Sequence, residues 1–135
     1  MIKIGDKAPD FKLSSSPEGD IRLSQYKGKK VILYFYPKDD TPGCTKEACS
    51  FQENLGLLKK KGAVVLGISA DSVESHLKFA GKFNLGFPLL SDESKEVCKA
   101  YGVWKEKSMY GRTFMGIERT TFVIDEKGAI QHIFP

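Results

Sequence analysis

Two cysteines five residues apart are the most reactive feature of the sequence. Cys44 and Cys49 lie in the segment PKDDTPGCTKEAC, residues 37–49. Thr41 followed by Pro42 is a helix-start signal, so Cys44 is expected in the first turn of a helix. Unpaired N–H groups and the helix dipole favour the thiolate there, and the thiolate is the nucleophilic form. The segment therefore predicts a cysteine that a peroxide can oxidise to a sulfenic acid.

Groups beside Cys44 are of the kinds that this chemistry needs. The Thr41 hydroxyl and the N–H groups near Gly43 could hold a peroxide and stabilise the departing oxygen. Pro37 and Pro42 are stiff and lack N–H groups, so they could shape the pocket and shield the intermediate from water. As a plainer alternative, Thr41 is simply the helix cap, and that role is compatible with the first one.

The spacing of Cys44 and Cys49 sets a geometric condition. In an intact helix, five residues rise about 7.5 Å and turn about 140°. The two Cα atoms would then lie roughly 8–9 Å apart, beyond the ~7 Å limit for a disulfide. A disulfide between them requires the first turns of the helix to unwind. The alternative is that one or both are inert core cysteines, as we expect for Cys98.

Strands and helices that alternate along the chain must position these residues. A buried strand over 31–36 leads through a loop to a helix from Thr41 to about Lys61, which ends at Gly62. A second buried strand covers 63–70. The apolar stripe predicted for the helix between them consists of Cys44, Ala48, Phe51, Leu55 and Leu58.

The next helix is predicted to open on Asp71 and Glu74, a pair that resembles a capping box. Val73, Leu77 and Ala80 are then expected to face inward. A short strand near 89–90 and a helix over 94–101 follow.

Antiparallel hairpins are predicted at both ends of the chain. Segments 10–13 and 21–23 suggest an N-terminal β-hairpin, and segments 120–124 and 129–134 a closing one. The order predicts an α/β protein with a mixed central sheet flanked by helices, a thioredoxin-like layout. We expect a final helix after the last hairpin, but the chain stops at Pro135 without it.

Composition limits the other classes of function. The 135 residues form one expected domain, 1–135, with a net charge of only +4 and scattered lysines, so we expect no nucleic-acid partner. The longest apolar run, 31–36, is too short to cross a membrane, and no export leader is evident. Three cysteines then fit a cytosolic redox protein. His76 and His132 are isolated, and together with the three cysteines they lack the spacing of a zinc site, so we expect no metal site. No organic cofactor is expected either.

The residues Pro37, Thr41 and Cys44 match the active-site signature of the peroxiredoxin family. Cys49 resembles the second cysteine of the subgroup called bacterioferritin comigratory protein or peroxiredoxin Q. Four further segments resemble the family and extend the match over most of the chain: GDKAPDF (5–11), ISAD (68–71), AYGVW (100–104) and ERTTFVID (118–125).

This resemblance implies a two-step peroxidase cycle with hydrogen peroxide and organic hydroperoxides as substrates. Cys44 would be the peroxidatic cysteine and Cys49 the resolving one, with a thioredoxin-type protein as reductant. Arg119 matches the family arginine beside the thiolate, and Glu47 the glutamate that orients it. Cys98 is the fallback resolving residue. The family also suggests a monomer, although a dimer is possible.

Two other functions stay open at this point. A thiol–disulfide oxidoreductase could use the same fold, but such enzymes typically carry two cysteines separated by two residues, and four separate them here. A redox sensor or holdase, whose binding surface changes on oxidation, is the second. Rapid consumption of peroxide by the reduced protein would separate the peroxidase from both.

Overall fold

The computed structural model of the protein describes residues 2–16 and 19–135. The strands of this part are β1 (Lys12–Ser16), β2 (Gly19–Arg22), β3 (Lys30–Phe35), β4 (Ala63–Ser69), β5 (Leu89–Ser91), β6 (Trp104–Met109), β7 (Arg112–Ile117), β8 (Thr120–Ile124) and β9 (Ile130–Phe134). The helices are α1 (Pro42–Lys60), α2 (Val73–Phe83) and α3 (Glu96–Ala100), and a 3₁₀ helix covers Leu23–Tyr26.

Seven strands form one mixed sheet in the order β2-β1-β5-β4-β3-β8-β9. The central strands β3, β4 and β5 are parallel, and the outer pairings are antiparallel. Sites in such sheets commonly lie beyond the carboxyl ends of the parallel strands. The segment that carries Cys44 follows the carboxyl end of β3.

Hydrophobic clusters cover both faces of this sheet because alternate strand residues point to opposite sides. The first cluster includes Val31, Leu33, Phe35, Leu66, Ile68, Leu90, Cys98, Tyr101, Phe122 and Ile124. The second includes Tyr34, Tyr36, Cys44, Ala48, Leu55, Val65, Phe79, Phe87 and Leu89. Helices α1 and α2 contribute to the second cluster and α3 to the first. The two cores thus share one sheet.

Most of the predicted architecture is confirmed. β3, α1 and β4 lie within a residue or two of their predicted bounds, and β8 and β9 form the closing hairpin. The N-terminal hairpin is present, with strands that extend further toward the turn than predicted. The predicted turn residues Pro17 and Glu18 lie outside the described residues. In α1, Cys44, Ala48 and Leu55 are buried, and Phe51 and Leu58 pack against them.

The prediction for the start of α2 was wrong. Ser72 is the N-cap, and its hydroxyl accepts a hydrogen bond from the N–H of Ser75 at 3.1 Å. The Asp71 carboxylate instead accepts from the Ser69 hydroxyl and from the backbone N–H of Asp39. The inward face differs in part: Leu77 is 56% exposed, and the buried residues of α2 are His76 and Phe79. Ala80 packs against the second cluster, as predicted.

The hairpin of β6 and β7 was not predicted. Its strands are mostly exposed, so they lack the apolar alternation that identifies a half-buried strand. Its turn uses positive φ at both Tyr110 and Gly111, a conformation that Asn-Gly signals far more clearly than Tyr-Gly. Helix α3 is also shorter than predicted and begins at Glu96. Among the described residues, no helix is long and apolar enough to cross a membrane.

Candidate active site

The structure places Cys44 where the sequence predicts it, in the first turn of α1 just beyond β3. Thr41 occupies the N-cap position with extended backbone angles, and Pro42 is the first helical residue. Cys44 is the third helical residue, and its side chain is 2% exposed. The thiol therefore lies at the positive end of a 19-residue helix, where an anion is favoured.

Arg119 brings a fixed positive charge to this thiol. Its Nη2 group donates a hydrogen bond to Cys44 Sγ at 3.1 Å, and its Nη1 group donates to Glu47 Oε1 at 2.6 Å. Glu47 lies three residues after Cys44, so both side chains project from the same side of α1. One guanidinium thus bridges the sulfur and the carboxylate, as the resemblance implied.

The charges of these three groups depend on one another. Burial lowers the pKa of Arg119, but the hydrogen bond and charge of Cys44 and those of Glu47 outweigh it, so the pKa is raised. Burial raises the pKa of Glu47, and the charge and hydrogen bond of Arg119 offset part of this rise. The arginine is therefore a permanent cation, placed within hydrogen-bond distance of both the Cys44 sulfur and the Glu47 carboxyl group.

Thr41 holds the expected position with a different hydrogen bond. Its hydroxyl donates to the carbonyl oxygen of Lys38 at 2.9 Å and makes no hydrogen bond to the N–H groups of α1. The cap position is confirmed, but capping by the side chain is not. The hydroxyl oxygen keeps its acceptor capacity. Pro37 lies at the start of this loop and is exposed.

The structure keeps the other two cysteines away from Cys44. Cys49 is half-buried on α1, which is intact through both positions, so the helical separation of roughly 8–9 Å applies. Cys98 is fully buried in the first hydrophobic cluster, on the opposite face of the sheet from Cys44. All three thiols are free.

A buried polar network beside the active-site loop escaped the sequence reasoning. Asp39 Oδ2 lies 2.7 Å from His76 Nδ1 and accepts from the Ser75 hydroxyl at 2.8 Å, and Asp39 Oδ1 accepts from the Tyr36 hydroxyl at 2.5 Å. The description of His76 as isolated was therefore wrong. Thirty-seven residues separate Asp39 and His76 in the chain, and neither belongs to a local pattern that pairs them.

The network also contains the ligand types of a cation site. Ligand atoms of Asp39, Asp71 and His76 all lie within 4.8 Å of one another. Each of these three residues is already hydrogen-bonded within the protein. Their partners are one another together with nearby hydroxyl and amide donors.

Aromatic side chains line the second cluster next to the thiol. Tyr34 stacks on Phe51 with ring centroids 4.6 Å apart and on Tyr36 at 5.4 Å. Burial, and then the charges of Glu47, Asp39 and Cys44, raise the pKa of Tyr34, which therefore stays a neutral phenol. The close approach of its ring requires Gly67, where an added Cβ would lie 2.9 Å from the Tyr34 hydroxyl.

Comparisons with known proteins agree on one family. Residues 4–133 match the model of the AhpC/TSA family. The chain is 49% identical over 129 residues to peroxiredoxin Bcp of Bacillus subtilis, covering 96% of this chain and 82% of that protein. Peroxiredoxin Q of Xylella fastidiosa superposes with a TM-score of 0.94 at 40% identity, covering 99% of this chain and 86% of that one. The Xanthomonas campestris bacterioferritin comigratory protein, described for its alkyl peroxide reduction activity, gives 0.90 at 40% identity, covering 99% and 85%.

Proposed function

The chain belongs to the AhpC/TSA family as a thioredoxin-like peroxiredoxin, and we propose that it reduces hydroperoxides with Cys44 as the attacking thiolate and Cys49 as the resolving thiol. The observation that carries the residue assignment is the 3.1 Å contact between Arg119 Nη2 and Cys44 Sγ at the start of α1. Helix terminus and guanidinium both favour the thiolate, which is the form that attacks.

In the first step, the Cys44 thiolate attacks one oxygen of the hydroperoxide and the O–O bond breaks. The sulfur is oxidised to a sulfenic acid, and the other oxygen leaves with the bonding electron pair and takes up a proton as water or an alcohol. Negative charge passes from sulfur to the departing oxygen. Arg119 and the N–H groups at the start of α1 are preorganised donors for that charge, and the Thr41 hydroxyl can accept the peroxide hydrogen.

Glu47 and Pro37 have supporting roles in this proposal. Glu47 fixes the Arg119 guanidinium through the 2.6 Å hydrogen bond, so that a second N–H group points at the sulfur. Pro37 stiffens the start of the loop that ends at Thr41. Both residues act on the position of the groups that contact the peroxide.

In the second step, the Cys49 thiol attacks the sulfenic sulfur of Cys44. A disulfide forms and water leaves. Because intact α1 holds the two Cα atoms beyond disulfide reach, its first turns must unwind, and the Arg119 contacts with Cys44 and Glu47 must loosen. A thioredoxin-type dithiol then supplies two electrons and two protons, which restore both thiols.

We also propose the setting in which this cycle runs. The whole of 1–135 acts as one domain, since both hydrophobic clusters rest on the same sheet. The protein works in the cytosol as a monomer without a metal or organic cofactor. Light scattering of the reduced and oxidised forms tests the monomer, and a dimeric mass in either form would contradict it.

The test of the residue assignment is intact-mass spectrometry after one equivalent of hydrogen peroxide. We expect wild type to lose two hydrogen atoms, C44S to stay unchanged, and C49S to gain oxygen on Cys44. C98S is the matched control, because it removes a thiol outside the site, and it should behave as wild type.

Other outcomes would redirect the proposal in defined ways. A disulfide in C49S would assign resolution to Cys98 or to a second chain. If reduced wild type barely reacts, the peroxidase assignment fails for this chain, and disulfide exchange or redox sensing takes its place.

A further inference from the structure

The side chain of His76 is completely buried, and both of its ring nitrogens face acceptors. Nε2 lies 2.9 Å from the carbonyl oxygen of Leu90 in β5, and Nδ1 lies 2.7 Å from Asp39 Oδ2. The Tyr36 hydroxyl lies 3.4 Å from Nδ1, but it donates its hydrogen to Asp39 Oδ1 at 2.5 Å. Beside an ionised Asp39, a neutral imidazole, which donates from one nitrogen only, would leave one of these contacts without a hydrogen. Both contacts are satisfied when both nitrogens carry a proton.

The surroundings of Asp39 match an imidazolium at His76. Three donors converge on the Asp39 carboxylate: the His76 ring, the Ser75 hydroxyl and the Tyr36 hydroxyl. Burial, and then the charge of Asp39, raise the pKa of Tyr36, so Tyr36 remains a donor. An ionised carboxylate accepts from all three. Asp39 is only 7% exposed, so an ion pair at this position is a buried one whose other hydrogen bonds are made.

The pair ties the active-site loop to α2 at two points. Besides the carboxylate contact, the backbone N–H of Asp39 donates to Asp71 Oδ2 at 2.8 Å, just before α2. Asp71 is a second carboxyl group near the imidazole, and the Asp39 amide and the Ser69 hydroxyl both donate to it. Residue 39 is therefore held through its side chain and its main chain.

The next residues lead directly to the reactive thiol. Asp40 has a φ of +56°, a left-handed conformation that side-chain-bearing residues adopt rarely. Thr41 follows as the N-cap of α1, and Cys44 is three residues further on. The anchored residue 39 thus stands immediately before the segment that must unwind when Cys44 and Cys49 join.

We propose that His76, as a buried imidazolium paired with Asp39, is a positioning residue for the peroxidase reaction. It holds the loop from Pro37 to Thr41 so that Thr41 and Cys44 meet the peroxide in the right geometry, and it confines the unwinding to residues after Asp39. The proposal rests on the proposed function. His76 acts through Asp39 and touches neither the peroxide nor the sulfur.

The protonation of His76 is tested on the wild-type protein without any activity measurement. In long-range proton–nitrogen NMR spectra of the reduced protein at neutral pH, we expect His76 to show both nitrogens protonated. His132, which is exposed on β9, serves as the internal comparison. A single-tautomer pattern at His76 would overturn the ion-pair assignment.

The positioning role is tested by separating the two chemical steps in rapid-mixing kinetics. H76Q, D39N and the double variant should oxidise Cys44 about 10- to 100-fold more slowly, because small misplacements of reacting groups are costly. Disulfide formation, measured as the rate that no longer depends on peroxide concentration, should not be slowed. The double variant should match the slower single variant, because both substitutions break the same link. H132Q is the matched control.

Several results would overturn the inference. They are a wild-type oxidation rate in folded H76Q, an equal slowing of both steps, and additive losses in the double variant. Partial misfolding is recognised separately, because it lowers the amplitude per mole of protein and leaves the rate of the folded fraction unchanged. Wild type that is inert to peroxide would overturn the proposed function, whereas a reactive wild type with unaffected H76Q would overturn this inference alone.

Discussion

Cys44 and Cys98 occupy nearly the same local position and have opposite electrostatic surroundings. Each is the third residue of its helix, and the two are 2% and 0% exposed. Cys44 accepts a hydrogen bond from Arg119, a cation. Cys98 lies beside Asp92, an anion. Burial, and then the hydrogen bond and charge of Asp92, raise the pKa of Cys98 well above its ordinary value.

The two helix starts differ in the same sense. In α3, the Asp92 carboxylate accepts from the backbone N–H groups of Val97 and Cys98, at 3.3 and 2.7 Å. The positive end of that helix is already neutralised. In α1, no acidic residue stands in the first turn, and the Thr41 side chain makes no capping hydrogen bond. The N–H groups near Cys44 therefore remain available to an anion.

The comparison shows that a buried cysteine near a helix start is not reactive for that reason alone. Two things distinguish the sites. One is which group accepts hydrogen bonds from the N–H groups at the helix start, and the other is the charge of the group within hydrogen-bond distance of the sulfur. The predictions that follow alter one of these differences at a time.

The largest effect is expected from removing the cation at Cys44. R119M keeps much of the side-chain bulk but removes the donor to the sulfur and to the departing oxygen. We expect the second-order rate of Cys44 oxidation to fall about 100- to 1,000-fold, the usual loss for one preorganised donor. Stopped-flow measurement with hydrogen peroxide checks this.

R119K is the matched control for charge alone. An ammonium retains the positive charge but cannot bridge Glu47 and Cys44 with a planar fork, so an intermediate rate is expected. A wild-type rate in R119M would show that the helix terminus suffices without the guanidinium.

A smaller effect is expected from removing the carboxylate that fixes Arg119. E47Q should lower the Cys44 oxidation rate about tenfold at neutral pH, since the guanidinium loses its charged partner but stays nearby. Because the pKa of Glu47 is raised, the wild type should approach the E47Q rate at a higher pH than an ordinary glutamate would allow. Rates of both proteins over the acid range test this, and parallel profiles would contradict it.

Much of the fold was predictable because local and tertiary preferences agree in its centre. The apolar runs of β3 and β4 and the stripe of α1 each have one plausible structure. The start of α2 was misassigned because Asp71 and Ser72 are both good caps, and only the contact of Asp71 with residue 39 decides between them. The β6–β7 hairpin was missed because its exposed strands bury little apolar surface.

The site divides in the same way into local and distant parts. Pro37, Thr41 and Cys44 stand in one segment, so their common location follows from a strand, a loop and a helix start. Arg119 lies 75 residues from Cys44 and was assigned only through the family resemblance. The burial of His76 beside Asp39 follows only from the correct rotation of α2 about its axis, which the sequence alone did not provide.

A third prediction concerns the pKa of Cys98, which should move toward its ordinary value when the charge of Asp92 is removed. In a C44S/C49S background, Cys98 is the only thiol, and its ionisation can be followed by ultraviolet absorbance as the pH is raised. We expect no thiolate below the pH of unfolding with Asp92 present. D92N removes the charge, so ionisation should begin at lower pH. Burial still raises the pKa of Cys98, so the shift should be partial, and an unchanged titration would assign the effect to burial alone.

The smallest effect on the cycle is expected from deleting the Cys98 thiol. Cys98 lies on the opposite face of the sheet from the α1 site, so C98A should leave that site unchanged. Cys44 oxidation and disulfide formation should therefore stay within about twofold of wild type. The cost should appear in stability, where a lost buried sulfur is expected to lower the free energy of unfolding by about 1 kcal/mol. Chemical denaturation and rapid mixing on one preparation measure both. A slower disulfide step in C98A would mean that Cys98 influences the Cys44 site across the sheet. The two sites could then no longer be treated as independent.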